Sequence, residues 1–179
     1  MFAAFRRALA ARPLITQMTA AGIISSSGDA LCQLAIEKRA LKDYDLARTG
    51  RFFVVNAFIV TPVVANWLKL LERIRSGPPA LLPLKRVFVD QLLFSPWFQG
   101  VILIALRRLE GFSHDRSVAK CKEDWWRVWT TSLKVWPVAN LINFYLFPLP
   151  YRVIYIQVIS LFWNSYLSYV TQHRLEITQ

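Results

Sequence analysis

The stretch VFVDQLLFSPWFQGVILIAL, residues 87–106, decides how the chain is read. Fourteen of its twenty residues are apolar, and about twenty such residues cross the roughly 30 Å hydrocarbon layer of a bilayer as a helix. Asp90, Gln91, Ser95, Pro96, Gln99 and Gly100 interrupt the run. A charged side chain at the centre of a span costs about 2.5–3.5 kcal/mol on insertion scales, so an intramembrane carboxylate marks a candidate functional position. Gln91, Ser95 and Gln99 follow one another at steps of four, on one side of the expected helix, with Asp90 one position away.

The rest of the chain agrees with a membrane setting. It has 179 residues, of which 55% are hydrophobic and only 18% charged, with a positive mean hydropathy. Average soluble domains carry about 25% charge. Apolar runs at residues 14–36, 52–71, 128–147 and 153–170 join the opening stretch as expected helices. No ten-residue alternation suggests a barrel, and backbone groups in lipid must be satisfied within the segment. The expected fold is therefore all-α. It is an integral membrane helical bundle of about four transmembrane helices, in one domain over residues 1–179. Residues 1–13 form a basic arm that resembles a mitochondrial presequence or, equally, a retained amphipathic segment. Residues 117–131 read as an interfacial amphipathic helix: Val118, Cys121, Trp125, Val128 and Trp129 share a stripe that Lys120, Lys122, Glu123, Asp124 and Arg127 largely avoid. A short helix packed on the end of the bundle fits the same pattern.

The net charge is +11, but its bases are dispersed through short connections. Lys38, Arg39, Lys42, Arg48 and Arg51 occupy one, and Lys69, Arg73, Arg75, Lys85 and Arg86 the next. No single basic face forms, so no direct nucleic-acid binding is expected, and both membrane sides are too positive for the Lys/Arg bias to set an orientation. Two cysteines, Cys32 and Cys121, exclude a disulfide framework and a four-ligand zinc site. His114 and His173 lack metal-ligand spacing. With no nucleophile–base motif or phosphate loop, no enzyme, catalytic residue, metal or cofactor is expected. The expected partners are the lipid bilayer and small ions or metabolites as solutes, and a homo-oligomer is compatible with such a chain.

Four of the long segments carry a polar stripe. Asp29 follows Ser25 at four and Gly22 at seven; Asn140 and Asn143 lie with Trp136; Asn164 lies with Gln157, Ser160 and Ser168. Two explanations stand at this point: hydrogen bonds between helices, worth about 0.6–2 kcal/mol each, or a hydrated lumen. Asp29, Asp90, Gln91, Ser95, Gln99, Asn140, Asn143 and Asn164 are thus the candidate pore-lining or stripe residues. Bases to partner the two aspartates are scarce within the apolar segments, with Lys134 and Arg152 the nearest, which favours water or protonation at both. Gly22, Ser26 and Ala30 form a small-residue face for close helix approach. Pro62, Pro96 and Pro137 each fall inside a helical pattern and are candidates for kinks or gates, although inert membrane helices also carry such prolines. Cys32 and Cys121 are candidates for redox coupling if their Cα atoms approach within about 7 Å.

Several motifs then occur in order: SSSGDALCQLAIEKRAL, DLARTGRFF, TPVVANWLKLLER, VDQLLFSPWFQG, VWPVANLINFYLFPLPYR and FWNSYLSYV. The chain resembles the Mpv-seventeen and peroxisomal-membrane-protein family over almost its whole length, and within it the mitochondrial inner-membrane branch. The resemblance carries Asp90, Gln91 and Pro96 in a DQ-x(4)-P element, and Trp136, Pro137, Asn140, Asn143, Trp163 and Asn164 in its C-terminal motifs. It implies a non-selective inner-membrane channel that modulates membrane potential, with roles in deoxynucleotide supply, mitochondrial DNA maintenance and reactive-oxygen metabolism. A non-conducting scaffold or regulator, and a peroxisomal membrane pore, are the alternatives. Thr61 before Pro62 departs from the glycine expected of the family.

Overall fold

The structure, a computed structural model, describes residues 7–8, 10–71, 73–146 and 149–177, without the side chains of residues 144, 149–154, 157 and 173–177. Residues 1–6 and 9 of the basic arm, and the side chains of Arg152, Gln157 and His173, lie outside that description. All regular structure among the described residues is helical. Five helical columns form: α1 (Pro13–Leu31), α2 (Leu46–Val54) continued by α3 (Thr61–Leu71), α4 (Leu82–Val89) continued by α5 (Ser95–Leu109), α6 (His114–Leu146) and α7 (Leu149–Ile177). Pro13 starts α1 at a position where its missing N–H costs nothing.

Column α1 packs between α2–α3 and α7; α7 packs on α6, α6 on α5, and α5 returns to the turns joining α2 and α3. The ring closes on an apolar centre that includes Phe52, Val55, Leu103, Leu106, Val128 and Leu167. Two segments, Leu46–Leu71 and Pro79–Leu109, are long and apolar enough to cross a membrane. Only 17% of the most apolar window of the first is buried inside the protein, so its apolar surface faces outward. A soluble core helix would be covered.

Two of the expected kinks take a specific form. The α2–α3 column passes through a π-helical turn at Val55–Val60 just before Pro62, and α4–α5 through another at Asp90–Phe94 just before Pro96. A proline clashes with the carbonyl four residues back; one extra residue in the turn moves that carbonyl aside and keeps the helix continuous. Thr61 finishes the repair at the first site, its hydroxyl donating to the Asn56 carbonyl at 2.8 Å. Pro137 instead lies inside the unbroken α6.

Two boundaries differ from expectation. The second column begins at Leu46 rather than residue 52, because Asp45 caps it: its carboxylate accepts from the Arg48 amide at 2.8 Å. Residues 117–131 are not a separate helix but the first half of α6, packed on α5. Cys121 Sγ reaches the Gly100 carbonyl at 3.7 Å, and Trp125 Nε1 donates to the Pro96 carbonyl at 2.7 Å. Asp124 and Lys120, expected to face away, are buried.

Small residues set the α1 contacts, though not only those of the expected face. Gly22 lies under the Phe53 ring and Ser26 donates to the Thr49 carbonyl at 3.4 Å. The closest approach to a neighbouring backbone is at Gly28, where a Cβ would come within 2.7 Å of the Leu161 carbonyl oxygen and 2.8 Å of Asn164 Cβ on α7. Ser165 seals it, donating to the Gly28 carbonyl at 2.6 Å. Gly28→Val should therefore overpack the α1–α7 contact and cost about 1–3 kcal/mol. Gly50→Ala, on α2 with nothing within 4 Å of the new Cβ, should stabilise by about 0.5–1 kcal/mol. Unfolding in detergent, followed by circular dichroism, would show both signs.

Candidate functional site

Two polar systems lie inside the bundle. The first is ionic. The cap at Asp45 places Arg48 one turn into α2, facing the last turns of α1. Its guanidinium forks onto Glu37, with Nη1 and Nη2 at 2.9 and 2.7 Å from the two carboxylate oxygens, while Nε lies 2.8 Å from Asp29 Oδ1. Asp29 also accepts from Gln33 Nε2 at 2.9 Å, from Thr49 Oγ1 at 2.6 Å and from the Ser168 hydroxyl. Asp29 and Arg48 are 0% and 1% exposed. Gln33 locks the arrangement by exchanging hydrogen bonds with the Asp45 backbone at 2.8 and 3.0 Å.

Asp29 thus corrects an expectation. It is neither solvated nor left without a base; its partner is Arg48, a base of the connection after α1, and it binds α1, α2 and α7 together. Arg48 was legible only as one base in a connection. The signal that could have found it is the Asp45 cap, which draws the helix start six residues earlier and carries Arg48 inside.

A second arginine is buried at the same end of the bundle. Arg107 of α5, 1% exposed, reaches Glu110 Oε2 at 3.0 Å and Asp124 Oδ2 of α6 at 3.2 Å. Gln172 of α7 donates to Glu110 at 2.6 Å. Ser168 and Gln172, one turn apart, link α7 to both clusters. Cys32 belongs to the first, with its sulfur 3.5 Å from Arg48 Nη2 and from Glu37 Oε1. Cys121 lies against Gly100, and both thiols are free and buried.

The second polar system is the seam between α4–α5 and α6. Asp90 accepts from Trp67 Nε1 and from Gln91 Nε2, each at 2.7 Å, and forms no ion pair among the described residues. Ser95 Oγ lies 3.4 Å from Ser132 Oγ on α6. Gln91, Gln99 and Asn143 are buried, and each leaves its side-chain carbonyl oxygen without a partner; the Trp129 indole N–H on α6 is also unmet. Such groups cost about 1–3 kcal/mol each when dry. Asn140 is half-buried on α6. Asn164 belongs elsewhere: it donates to the Ser160 carbonyl at 2.8 Å and accepts from Asn56 at 3.4 Å. Ser132 and Arg107 were not singled out in the sequence, and Trp129 only as a member of the amphipathic stripe, because a serine or tryptophan on an apolar helix does not announce which neighbour it meets.

Residues 107–168 match the Mpv17 / PMP22 family. A Caenorhabditis briggsae protein named mitochondrial inner membrane protein Mpv17 is 45% identical over 94% of this chain and 91% of its own length. The chain belongs to the Mpv17 / PMP22 family. The human Mpv17 protein is 37% identical over 98% of this chain and 99% of its own, and the Gibberella zeae protein SYM1 is 39% identical over 90% and 92%. No solved structure matches. Like these Mpv17 relatives, the chain is a protein of the mitochondrial inner membrane.

Breaking one partner of a buried ion pair costs about 3–5 kcal/mol, so Asp29→Asn and Arg48→Gln should each lower thermal stability sharply. The double variant should lose less than the sum, which a thermal double-mutant cycle would read. Glu37 adds a pH dependence. Burial alone would raise its carboxyl, but the Arg48 fork and the Arg39 charge outweigh burial and hold it below the ordinary carboxylate range. Its contribution is therefore complete above the unfolded carboxylate value of about 4.3 and lost as the pH falls through the lower folded value. Wild-type protein should lose stability across that acidic window more steeply than Glu37→Gln.

Proposed function

We propose that this protein is a multi-span channel of the inner membrane, drawn here closed, whose solute path follows the seam between α4–α5 and α6. The columns α2–α3, α4–α5, α6 and α7 supply four spans, with α1 as a further column of spanning length between α2 and α7. Helix α6 has 33 residues, about 50 Å at 1.5 Å each, so its first turns protrude beyond the hydrocarbon layer.

The observation that carries this reading is the set of unmet oxygens of Gln91, Gln99 and Asn143, with Asp90, which forms no ion pair among the described residues, hydrogen-bonded to Gln91. A dry apolar seam would select against all three unmet oxygens; water satisfies them. Oxygen acceptors and a carboxylate favour cations and neutral hydrogen-bond donors within the seam, while the basic connections attract anions to its mouths. The row of residues at steps of four runs from Gln91 in the π-helical turn onto α5 as Ser95, Gln99, Leu103 and Arg107. Leu103, 1% exposed, is its one apolar member, and a hydrophobic constriction of this kind closes a path by excluding water. Beyond it stands the Arg107 cluster. The wider roles proposed with this activity are modulation of membrane potential, deoxynucleotide supply, mitochondrial DNA maintenance and reactive-oxygen metabolism.

A non-conducting scaffold is the second reading, favoured by the apolar centre of the ring and by the complete pairing of Asp29 and Arg48. Planar-bilayer recording separates the two. Asp90→Asn should shift the reversal potential toward lower cation preference, and Leu103→Asn should raise basal conductance by about tenfold, the equivalent of about 1.4 kcal/mol removed from a barrier. Silent bilayers with wild type and with both variants would establish the scaffold.

A further inference from the structure

Helix α6 carries a row of cations on one face. At about 100° per residue, Arg116, Lys120, Arg127 and Lys134 fall within an arc of about 40°, on the side opposite Trp125 and the contact with α5. The outer pair is met by the protein itself: the Arg116 guanidinium and the Lys120 ammonium lie 4.7 and 5.5 Å from the Phe112 ring centroid. The inner pair is not. Arg127 and Lys134 are exposed and form no ion pair among the described residues. Glu123, the acid on this face, stands one turn outward of Arg127, about 16 Å along the helix from Lys134.

Depth makes Lys134 the unusual member. From Leu146 back to Arg127 the helix rises about 28 Å, close to the roughly 30 Å hydrocarbon layer, so a span ending at Leu146 puts Arg127 at the far interface and Lys134 about 10 Å inside it. A lysine facing outward at that depth is costly unless an anion meets it. Its Cα–Cβ bond leans toward the start of α6, so the ammonium reaches back toward Arg127. The surface then changes from polar to apolar along the same face. Thr131 lies between the two cations, its hydroxyl donating to the Arg127 carbonyl at 2.8 Å and accepting from Tyr166 of α7 at 3.0 Å. That bond holds α7 alongside and brings up the exposed Phe162, one turn nearer the start of α7. Beyond Lys134 the row continues with the exposed Val138.

We propose that this outer face of α6 binds one anionic phospholipid, with its phosphate on Arg127 and Lys134 and an acyl chain along Val138 and Phe162. Charge toward the interface and apolar surface toward the bilayer centre, joined on one face of one helix, match the two parts of a lipid. The exposed acids among the described residues, Asp43, Asp115 and Glu123, all stand toward the end of the bundle that holds the arginine clusters. A second copy in the same orientation therefore offers no carboxylate at the level of Lys134, and a dissolved anion does not enter hydrocarbon to that depth. The inference rests on α6 being one of the spans proposed above and does not depend on conduction through the seam.

The test uses the full chain with Cys32 and Cys121 replaced by serine and a fluorophore on V138C. It is reconstituted in phosphatidylcholine vesicles doped with brominated-chain phosphatidylglycerol or, separately, brominated-chain phosphatidylcholine. The phosphatidylglycerol should quench the fluorophore with roughly tenfold higher apparent affinity. R127Q and K134Q, both at exposed positions, should each reduce that preference about threefold with the helical signal unchanged, and together bring it near unity. K134R should retain it, as should R75Q, which removes a cation from the other end of the bundle. Equal quenching by the two lipids, or a preference unmoved in R127Q/K134Q, would overturn the proposal. Absence of quenching by either lipid would place position 138 outside the bilayer, and the span and the proposal would fall together. Quenching by both that strengthens as the protein is diluted in the bilayer would give the face to a second copy and overturn the lipid assignment. Millimolar inorganic phosphate should leave the preference in place; if it erased it, the cations would form a simple phosphate site and the lipid would be ruled out.

Discussion

Arg48 is the group on which the rest of the bundle depends. A guanidinium removed from water is tolerated only when its donors are matched by charge and geometry. Glu37 takes one edge as a fork, and Asp29 and Ser168 take the Nε side. Because those acceptors come from α1, the turn after it and α7, the requirement to pair one cation fixes the relative depth of three columns. An apolar interface of small residues would let α1 slide along α7; the Asp29 contacts with Arg48 and Ser168 set one register. The Arg107 cluster does the same for α5, α6 and α7.

The two clusters lie at the same end of the bundle and share α7, whose Ser168 and Gln172 reach one each. That end is closed by matched charge, and the centre of the ring is closed by Phe52, Leu103 and Leu167. Unmet polarity concentrates instead on the side of α5 facing α6. The division has a physical reading: the charged groups that must hold position are matched by opposite charge, whereas groups that must exchange partners with passing water or solute retain spare hydrogen-bonding capacity.

Much of this was legible in the chain itself. The helical class followed from the length of the apolar runs, and the polar step of four around Asp90 located the seam. The prolines at 62 and 96 announced irregular turns, though not that each would be absorbed by one π-helical turn. What was not legible is pairing across the bundle. Asp29 and Asp90 look alike in sequence, each a carboxylate in an apolar run, yet one meets Arg48 from a connection nineteen positions away and the other, among the described residues, accepts from Trp67 and Gln91. Gly28 was passed over for Gly22 because spacing along one helix does not say which face meets a neighbouring backbone and which only a movable ring. The amphipathic pattern at 117–131 was real, but its apolar stripe is met by α5.

The central claim is that the buried oxygens beside Asp90 are wetted from one end of the bundle and stop at Leu103. Accessibility of single cysteines placed at positions 95 and 99, with Cys32 and Cys121 replaced by serine, tests this most directly. A small, charged, membrane-impermeant thiol reagent should modify both cysteines when supplied at the end nearer Asn143, and neither when supplied at the end of the two arginine clusters. Cysteines at 95 and 99 as inert from both sides as one at the lipid-facing position 93 would contradict the account.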